Sequence, residues 1–283
     1  MHISNKNTTF ANVKEQINHI ISQLQGFYPQ EELHELVYWI IEETTGLTRT
    51  QLLIQSPDKI EIPNIEKIIE RLRSHEPIQY ILGHTQWMGL DLLVNTATLI
   101  PRPETAELVE WVVAENDNTA SLQVMDIGTG SGCIAIALKK RCSMWNVTGV
   151  DISDEALEVA RLNAKKNGVE IEWEKVDILS QKPNMVDIIV SNPPYICHKE
   201  KTTMDSRVLN YEPHSALFVP DDDPLLFYRR IASMKASKAL YFEINEAYGE
   251  QVCEMINELG YQDVQIKNDM YGKARMVFGR IKT

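Results

Sequence analysis

The sequence predicts an α/β protein whose mostly parallel sheet is covered by helices on both faces, with a small helical bundle in front of it. Three observations carry this reading. The first 77 residues show helical periodicity only; residues 78–100 switch to short extended runs; and from Pro103 onward helical and extended patterns alternate.

In the first region, Val13, Ile17, Ile20, Ile21 and Leu24 share one helical face, as do Leu33, Leu36, Val37, Ile40 and Ile41, and then Ile65, Ile68, Ile69 and Leu72. Pro29 before Glu31 and Glu32 marks a helix start and Gly46 a stop. Pro63-Asn64 starts the next helix and Pro77 ends it. The run IQYILGHTQWMGLDLLVN, with Gly83 and Gly89, reads as a β-hairpin joining two domains. The expected division is a helical domain at 1–77, a hairpin linker at 78–100 and an α/β domain at 101–283. The last part begins with helix PETAELVEWVV, strand SLQVMDIG, helix SGCIAIALKK, strand NVTGVDI and helix SDEALEVARLNAKKNG. Strands EIEWEKVDI and MVDIIVSN follow, then a long loop, helix DPLLFYRRIASM, strand KALYFEI, helix GEQVCEMINELG, and the closing strands YQDVQIKN and ARMVFGRI.

Composition narrows the function classes. At 283 residues, with 43% hydrophobic and 24% charged residues, the chain has enough apolar material for two cores, which excludes a disordered protein. No stretch reaches the roughly 18 unbroken apolar residues of a bilayer span, and MHISNKNTTF lacks a signal-peptide pattern, so a cytoplasmic protein is expected. Cys133, Cys142, Cys197 and Cys253 form no CxxC pair, which suggests reduced, packed thiols and no metal site. A net charge of −12 argues against stable binding of long nucleic acid. The run Lys139-Lys140-Arg141 closes a helix, where positive charge favours the helix dipole.

Two motifs carry chemistry. Asp126-Ile127-Gly128-Thr129-Gly130-Ser131-Gly132 follows a buried strand and opens a helix, a place where backbone N–H groups come close to a ligand. The spacing is GxGxG, not the GxGxxG of dinucleotide sites, and Asp126 suits a cation better than a pyrophosphate. S-adenosylmethionine is such a ligand, with a positive amino group, a positive sulfonium and no phosphate. Asp151 ends the next strand, where open α/β sheets put an acid that accepts from ribose hydroxyls; the competing role is that of a helix-start acid beside the capping candidate Ser153. Asp177 ends the third strand as an adenine-edge acid or as a surface-turn acid, and Ile178 beside it is placed to cover the adenine face.

The second motif is Ser191-Asn192-Pro193-Pro194-Tyr195, after a strand expected to lie beside the first one. Two prolines hold φ near −65° and donate no hydrogen bonds, so the Pro193 carbonyl is presented outward as an acceptor. With the Asn192 side-chain carbonyl it can accept both hydrogens of an NH₂ group, while Tyr195 packs on the face of a planar amide or base. An amide nitrogen is a poor nucleophile because its lone pair is delocalised. Two acceptors supply ~2–6 kcal/mol, at ~1–3 per hydrogen bond in a dry site, toward localising it. No metal and no strong general base is needed.

With these motifs on one chain, the sequence resembles the PrmC/HemK family of release factor glutamine methyltransferases. The resemblance covers nearly the whole length and extends to Ile100-Pro101-Arg102-Pro103-Glu104-Thr105, to Pro77-Ile78-Gln79-Tyr80-Ile81-Leu82-Gly83 and to Tyr211-Glu212-Pro213. It implies a five-helix N-terminal domain, a β-hairpin linker, and a Rossmann-like, seven-stranded methyltransferase domain that uses S-adenosylmethionine. The implied substrate is the glutamine of the GGQ loop in bacterial class 1 release factors, met by a monomer. By the resemblance Gly128, Thr129, Gly130, Ser131, Gly132 and Asp151 hold the cofactor. Asn192 touches both cofactor and substrate, Asn192 to Tyr195 hold the amide, and Arg102 and Glu104 shape the wall at the methionine end, although Glu104 equally suits a helix first turn. The chain departs from the family at Ile178, Val219, Pro220, Pro224, Asn245, Tyr248 and Lys273, which bears on loop shape at the substrate entrance.

The rival reading is methylation of the exocyclic amine of adenine in DNA or guanine in ribosomal RNA, whose NH₂ groups share the planar geometry. Such enzymes extract a base from the stack and carry a basic recognition region. Here residues 1–90 hold seven Lys/Arg against eleven Asp/Glu, which favours a protein partner. A second alternative is a non-catalytic scaffold that keeps the cofactor fold; intact motifs weigh against it.

Overall fold

The computed structural model describes residues 13–55 and 62–281; the N-terminal segment read for a leader pattern lies outside them. The chain divides into two compact units between Leu82 and Gly83. The first contains α1 (Val13–Leu24), α2 (Gln30–Thr45), α3 (Arg49–Gln55), α4 (Ile65–Arg73) and α5 (Ile78–Leu82). The apolar stripes of α1, α2 and α4 meet in one core around Ile20, Leu24, Val37, Ile40, Ile41, Ile69 and Leu72. Gly46 stops α2 in the left-handed region (φ 70°), its N–H returning to Glu42 O. Residues 78–82, expected as extended chain, are helical instead. Tyr80 and Ile81 donate to the Pro77 carbonyl, and Arg71 reaches the carbonyls of Tyr80 (3.2 Å) and Ile81 (3.3 Å). Tertiary capture of Ile78 and Tyr80, both buried, decides a segment too short to signal a helix by itself.

The second unit begins with the antiparallel hairpin β1 (His84–Trp87) and β2 (Leu90–Leu93), turning at Met88-Gly89, both with positive φ. The chain continues through α6 (Pro103–Glu115), β3 (Gln123–Ile127), α7 (Cys133–Arg141), β4 (Asn146–Asp151), α8 (Asp154–Lys166), β5 (Glu172–Lys175) and β6 (Val186–Ser191). The stretch read as a long loop contains a two-stranded parallel pair, β7 (Ile196–Cys197) and β8 (Phe218–Val219), with the short α9 (Ser206–Tyr211) between them. Then come α10 (Leu226–Ser233), β9 (Ser237–Glu243), α11 (Gly249–Glu258), β10 (Gln262–Asn268) and β11 (Ala274–Arg280).

The main sheet has seven strands in the order β10-β11-β9-β6-β3-β4-β5, parallel from β9 to β5 and closed by the antiparallel β11 and β10. Its central strands β3, β6 and β9 are buried on both faces, and successive side chains feed opposite layers. Val124, Ile188 and Val190 join Leu108, Val112, Ile134 and Leu138 of α6 and α7. Met125, Ile127 and Ile189 join Ile231, Val252 and Ile256 of α10 and α11. At the end of α7, Lys139 donates to the carbonyls of Ser143 and Trp145 and Lys140 to that of Asn167, while Arg141 pairs with Glu110. The cationic run thus closes a helix end. Among the described residues no helix is long and apolar enough to cross a membrane.

Candidate active site

The chain leaves β3 toward β4 on one side and returns to β6 on the other, so the sheet changes direction at β3. Open α/β sheets bind ligands at the carboxyl ends of the strands at such a switch point. Pairing of Ile127 with Ser191 and of Ile127 with Val150 brings the glycine loop, Asp151 and Asn192 to one edge. The Ser191 hydroxyl ties the two strand ends by donating to the Ile127 carbonyl at 2.7 Å. Above this edge lies a cavity of about 680 Å³, large enough for a nucleoside-sized ligand.

The glycine loop works differently from its sequence reading. Gly128 and Thr129 donate to the Val150 carbonyl (2.9 and 3.0 Å), Gly130 to Asp151 Oδ2 (2.9 Å) and Gly132 to the Thr129 carbonyl (2.8 Å). These four N–H groups are spent within the protein. The loop offers a ligand close backbone approach instead: at Gly128 (φ 73°) and Gly130 (φ 53°) the space a Cβ would take is open. Gly132 is not on the cavity wall. A Cβ there would stand 2.9 Å from the Trp173 ring and 3.1 Å from Ala160 Cβ, so this glycine serves close packing of helix on strand.

Asp126 is also displaced from its expected place. It is fully buried, does not line the cavity, and accepts from the Thr129 hydroxyl (2.6 Å) and the Ala135 N–H (3.2 Å), leaving Oδ1 with no hydrogen-bond partner. Burial pushes its carboxyl up to about 7, against the pull of those two bonds and with the help of the Asp151 charge. Its work is to hold the loop. Cys133 beside it is likewise buried, its thiol pushed up to about 12 by desolvation and the Asp126 charge, which makes it unreactive.

The charge argument for a cationic ligand passes to the wall. Asp151, Glu155 and Asp177 line the cavity, and the one basic lining residue, Arg102, is paired with Glu212 at 2.6 Å. The lining holds three acids and no unpaired cation among the described residues, which does not suit a phosphate. Asp151 Oδ1 accepts from the N–H of Ser153, the cap of α8, as the helix-start alternative expected, and the carboxylate also borders the cavity. Asp177 fixes its own turn by accepting from Leu179 N–H (3.0 Å) and the Ser180 hydroxyl (2.7 Å), and it borders the cavity too. Ile134, Ile152, Ile178 and Phe227 supply apolar walls for a planar base. The residues present therefore fit an adenosyl group carrying a cationic tail.

Asn192, Pro193 and Pro194 line the cavity as expected. Tyr195 does not. Its phenol donates to Glu243 Oε1 at 3.3 Å, its ring packs with the β9 and α11 layer, and burial first, then the Glu243 charge, raises its pKa. Arg102 stands on the wall, whereas Glu104 lies off it in the first turn of α6, the helix-start alternative. The IPRPET and YEP segments, far apart in sequence, meet through the Arg102–Glu212 pair, and Glu212 Oε2 also accepts from Ile100 N–H at 3.3 Å. Burial raises the Glu212 carboxyl and Arg102 opposes that shift.

Several contributors had no signal in the sequence. Thr96 to Leu99, read as part of the linker, form one wall, with Phe218 and Phe227 on others. Asn163, in the last turn of α8, donates to the carbonyls of Leu93 and Ser131 and accepts from Leu93 N–H, tying hairpin to glycine loop. Glu243, 1% exposed at the end of β9, gathers the hydroxyls of Thr105 and Tyr195. Of the family departures, Asn245 donates to the Tyr195 carbonyl (3.2 Å) and caps the following turn, and Tyr248 meets Cys197 Sγ at 3.4 Å.

Residues 15–83 match the model for the PrmC N-terminal domain and residues 105–211 that for the methyltransferase small domain. The release factor glutamine methyltransferase of Flavobacterium psychrophilum is 41% identical over 94% of this chain and 98% of its own length. The chain belongs to the release factor glutamine methyltransferase family. Its Bacteroides thetaiotaomicron member is 43% identical over 92% of this chain and 96% of its own. Among solved structures, the hMettl16 catalytic domain in complex with an MAT2A 3'UTR hairpin superposes with a TM-score of 0.57 at 15% identity, covering 78% of this chain and 94% of that one. That likeness shows the methyltransferase fold. Family membership and fold agree with the seven-stranded sheet, and the protein is a methyltransferase.

Proposed function

We propose that the protein transfers the methyl group of S-adenosylmethionine to the side-chain amide nitrogen of the glutamine in the GGQ loop of bacterial class 1 release factors. The observation that carries this reading is the placement of Asn192-Pro193-Pro194 on the same cavity wall system as the glycine loop and Asp151, across paired strand ends. In this reading Gly128 to Ser131, Asp151, Asp177, Ile178 and Asn192 hold the cofactor, and Gly132 supports them through packing. When bound, the cofactor supplies an electrophilic methyl on a positively charged sulfur.

The chain's own residues do the rest. Asn192 Oδ1 and the Pro193 carbonyl accept the two hydrogens of the substrate NH₂, turning its lone pair toward the methyl. Held in place, the amide gains from orientation as well as from the two acceptors. Acidic lining residues favour the cofactor's cationic form, and apolar walls keep water from competing. Residues 1–77 serve substrate recognition, residues 78–100 link, and residues 101–283 catalyse. The enzyme acts as a monomer in the cytoplasm, without stable nucleic-acid binding.

The test is transfer of labelled methyl from S-adenosylmethionine to purified release factor, to its Gln→Ala GGQ variant, and to DNA and ribosomal RNA. Label on the factor that disappears in the variant is the expected result; label on nucleic acid alone moves the assignment to base methylation. Asn192→Ala should abolish transfer while cofactor binding persists, and wild-type turnover in that variant would sink the mechanism.

A further inference from the structure

An asparagine side chain has two ends of nearly equal size, and only its carbonyl accepts a hydrogen from a substrate NH₂. Something must decide which end faces the cavity. Asn192 Nδ2 donates to Thr105 Oγ1 at 3.3 Å. Thr105 in turn donates its one hydroxyl hydrogen to Glu243 Oε2 at 2.6 Å. The other carboxylate oxygen, Oε1, takes the Tyr195 hydroxyl at 3.3 Å. Both Glu243 oxygens face hydroxyl groups, Thr105 on one and Tyr195 on the other; with the Thr105 hydrogen pointing at the nearer oxygen, Thr105 is left with lone pairs for Asn192. Every hydrogen in the chain runs one way, toward Glu243.

The anchor is held from several sides. Glu243 is 1% exposed and Tyr228 donates to its backbone carbonyl at 3.1 Å; burial raises its carboxyl, and the Thr105 hydrogen bond and the Arg275 charge oppose that shift. Thr105 is 2% exposed and lines the cavity beside Asn192. We propose that Thr105 and Glu243 are positioning residues, which set the polarity of this hydrogen-bond relay so that Asn192 turns its carbonyl and not its NH₂ toward the reacting nitrogen. With the relay reversed, Asn192 would present a donor to a donor, and one of the two acceptors for the substrate would be lost. The inference rests on the reading of Asn192 as a substrate acceptor.

The test uses the full chain with saturating S-adenosylmethionine and purified release factor, in single turnover. Cofactor affinity by calorimetry and thermal unfolding are followed in parallel. Thr105→Val keeps the shape and removes the relay. It is expected to slow transfer roughly 10- to 100-fold, as when groups that orient a reacting residue are lost, with a much smaller change in cofactor affinity. Thr105→Ser restores the hydroxyl and should recover most of the rate, a recovery that a packing role for the methyl would not produce. Glu243→Gln, which can donate to Thr105 and turn its hydroxyl around, should also slow transfer, and it carries the test if Thr105→Val does not fold. An inactive Asn192→Ala beside a wild-type rate in Thr105→Val and Glu243→Gln overturns the relay and leaves the Asn192 reading standing, as does a Thr105→Val loss that Thr105→Ser does not recover. A wild-type rate in Asn192→Ala itself overturns both.

Discussion

Asp126 makes the stability of the protein fall as pH rises from about 4 to about 7, and Asp126→Asn should remove that dependence. The carboxyl is fully buried, one oxygen has no partner, and its folded value stands at about 7. In the unfolded chain an aspartate titrates near about 4. Below the unfolded value both states hold the proton and the group contributes nothing to the pH dependence. Between the two values the folded state keeps a proton that the unfolded state releases, so unfolding gains on folding by ~1.4 kcal/mol per pH unit. The interval from about 4 to about 7 sets an upper bound of ~4 kcal/mol on the loss, complete above the folded value. Asparagine keeps the acceptor for Thr129 and Ala135, places its NH₂ where Oδ1 is unpartnered, and carries no charge at any pH. Urea unfolding of both ligand-free proteins in steps from about pH 4 to about pH 8 gives the difference in stability, which cancels all other titrating groups. The variant should gain on the wild type as pH rises and level off above the folded value of about 7. Parallel stability curves across that range would refute the assignment of a buried, proton-retaining carboxyl.

The Arg102–Glu212 pair should respond asymmetrically: Arg102→Met strands a carboxylate whose side chain is 1% exposed and should cost ~3 kcal/mol in urea unfolding, whereas Glu212→Gln leaves an arginine that is 32% exposed and still reaches water, and should cost clearly less. Equal losses would show that burial of Glu212 does not control the pair. Asn163→Ala removes three hydrogen bonds that join hairpin, α8 and glycine loop, an expected loss of ~3 kcal/mol, and hydrogen exchange should show early opening at Leu93; a change within experimental error would mean that water replaces the side chain. Asp151→Ala should weaken S-adenosylmethionine binding by ~1–3 kcal/mol in calorimetry through lost hydrogen bonds to a charged group, and unchanged affinity would remove Asp151 from the cofactor site.

Much of this protein is legible along the chain because its strongest signals are local. The period of apolar residues in 103–281 suffices for the alternating helices and strands, and the glycine and proline motifs occur at strand ends because tight turns there demand those residues. From that pattern alone follow the α/β class, the neighbouring of β3 and β6, and the cavity location beside Gly128, Asp151 and Asn192. What the sequence could not decide is which way a polar group faces once it is buried. Asp126 looks like a ligand for a cation, yet the sheet turns it inward to hold Thr129 and Ala135; Tyr195 looks like a platform for an amide, yet a buried acid takes its hydroxyl. Residues 78–82 and the β7–β8 pair are too short to announce themselves and exist through packing and pairing with distant segments. Glu243 sits in an ordinary strand pattern and acquires its role only when β9 pairs beside β6 and the start of α6 comes to rest against it. Periodicity and turn chemistry are properties of neighbours in sequence, so the chain determines them by itself. The partners that Glu243 finds in Thr105 and Glu212 in Arg102 lie 138 and 110 residues away and are set by whichever donors the folded sheet brings within reach.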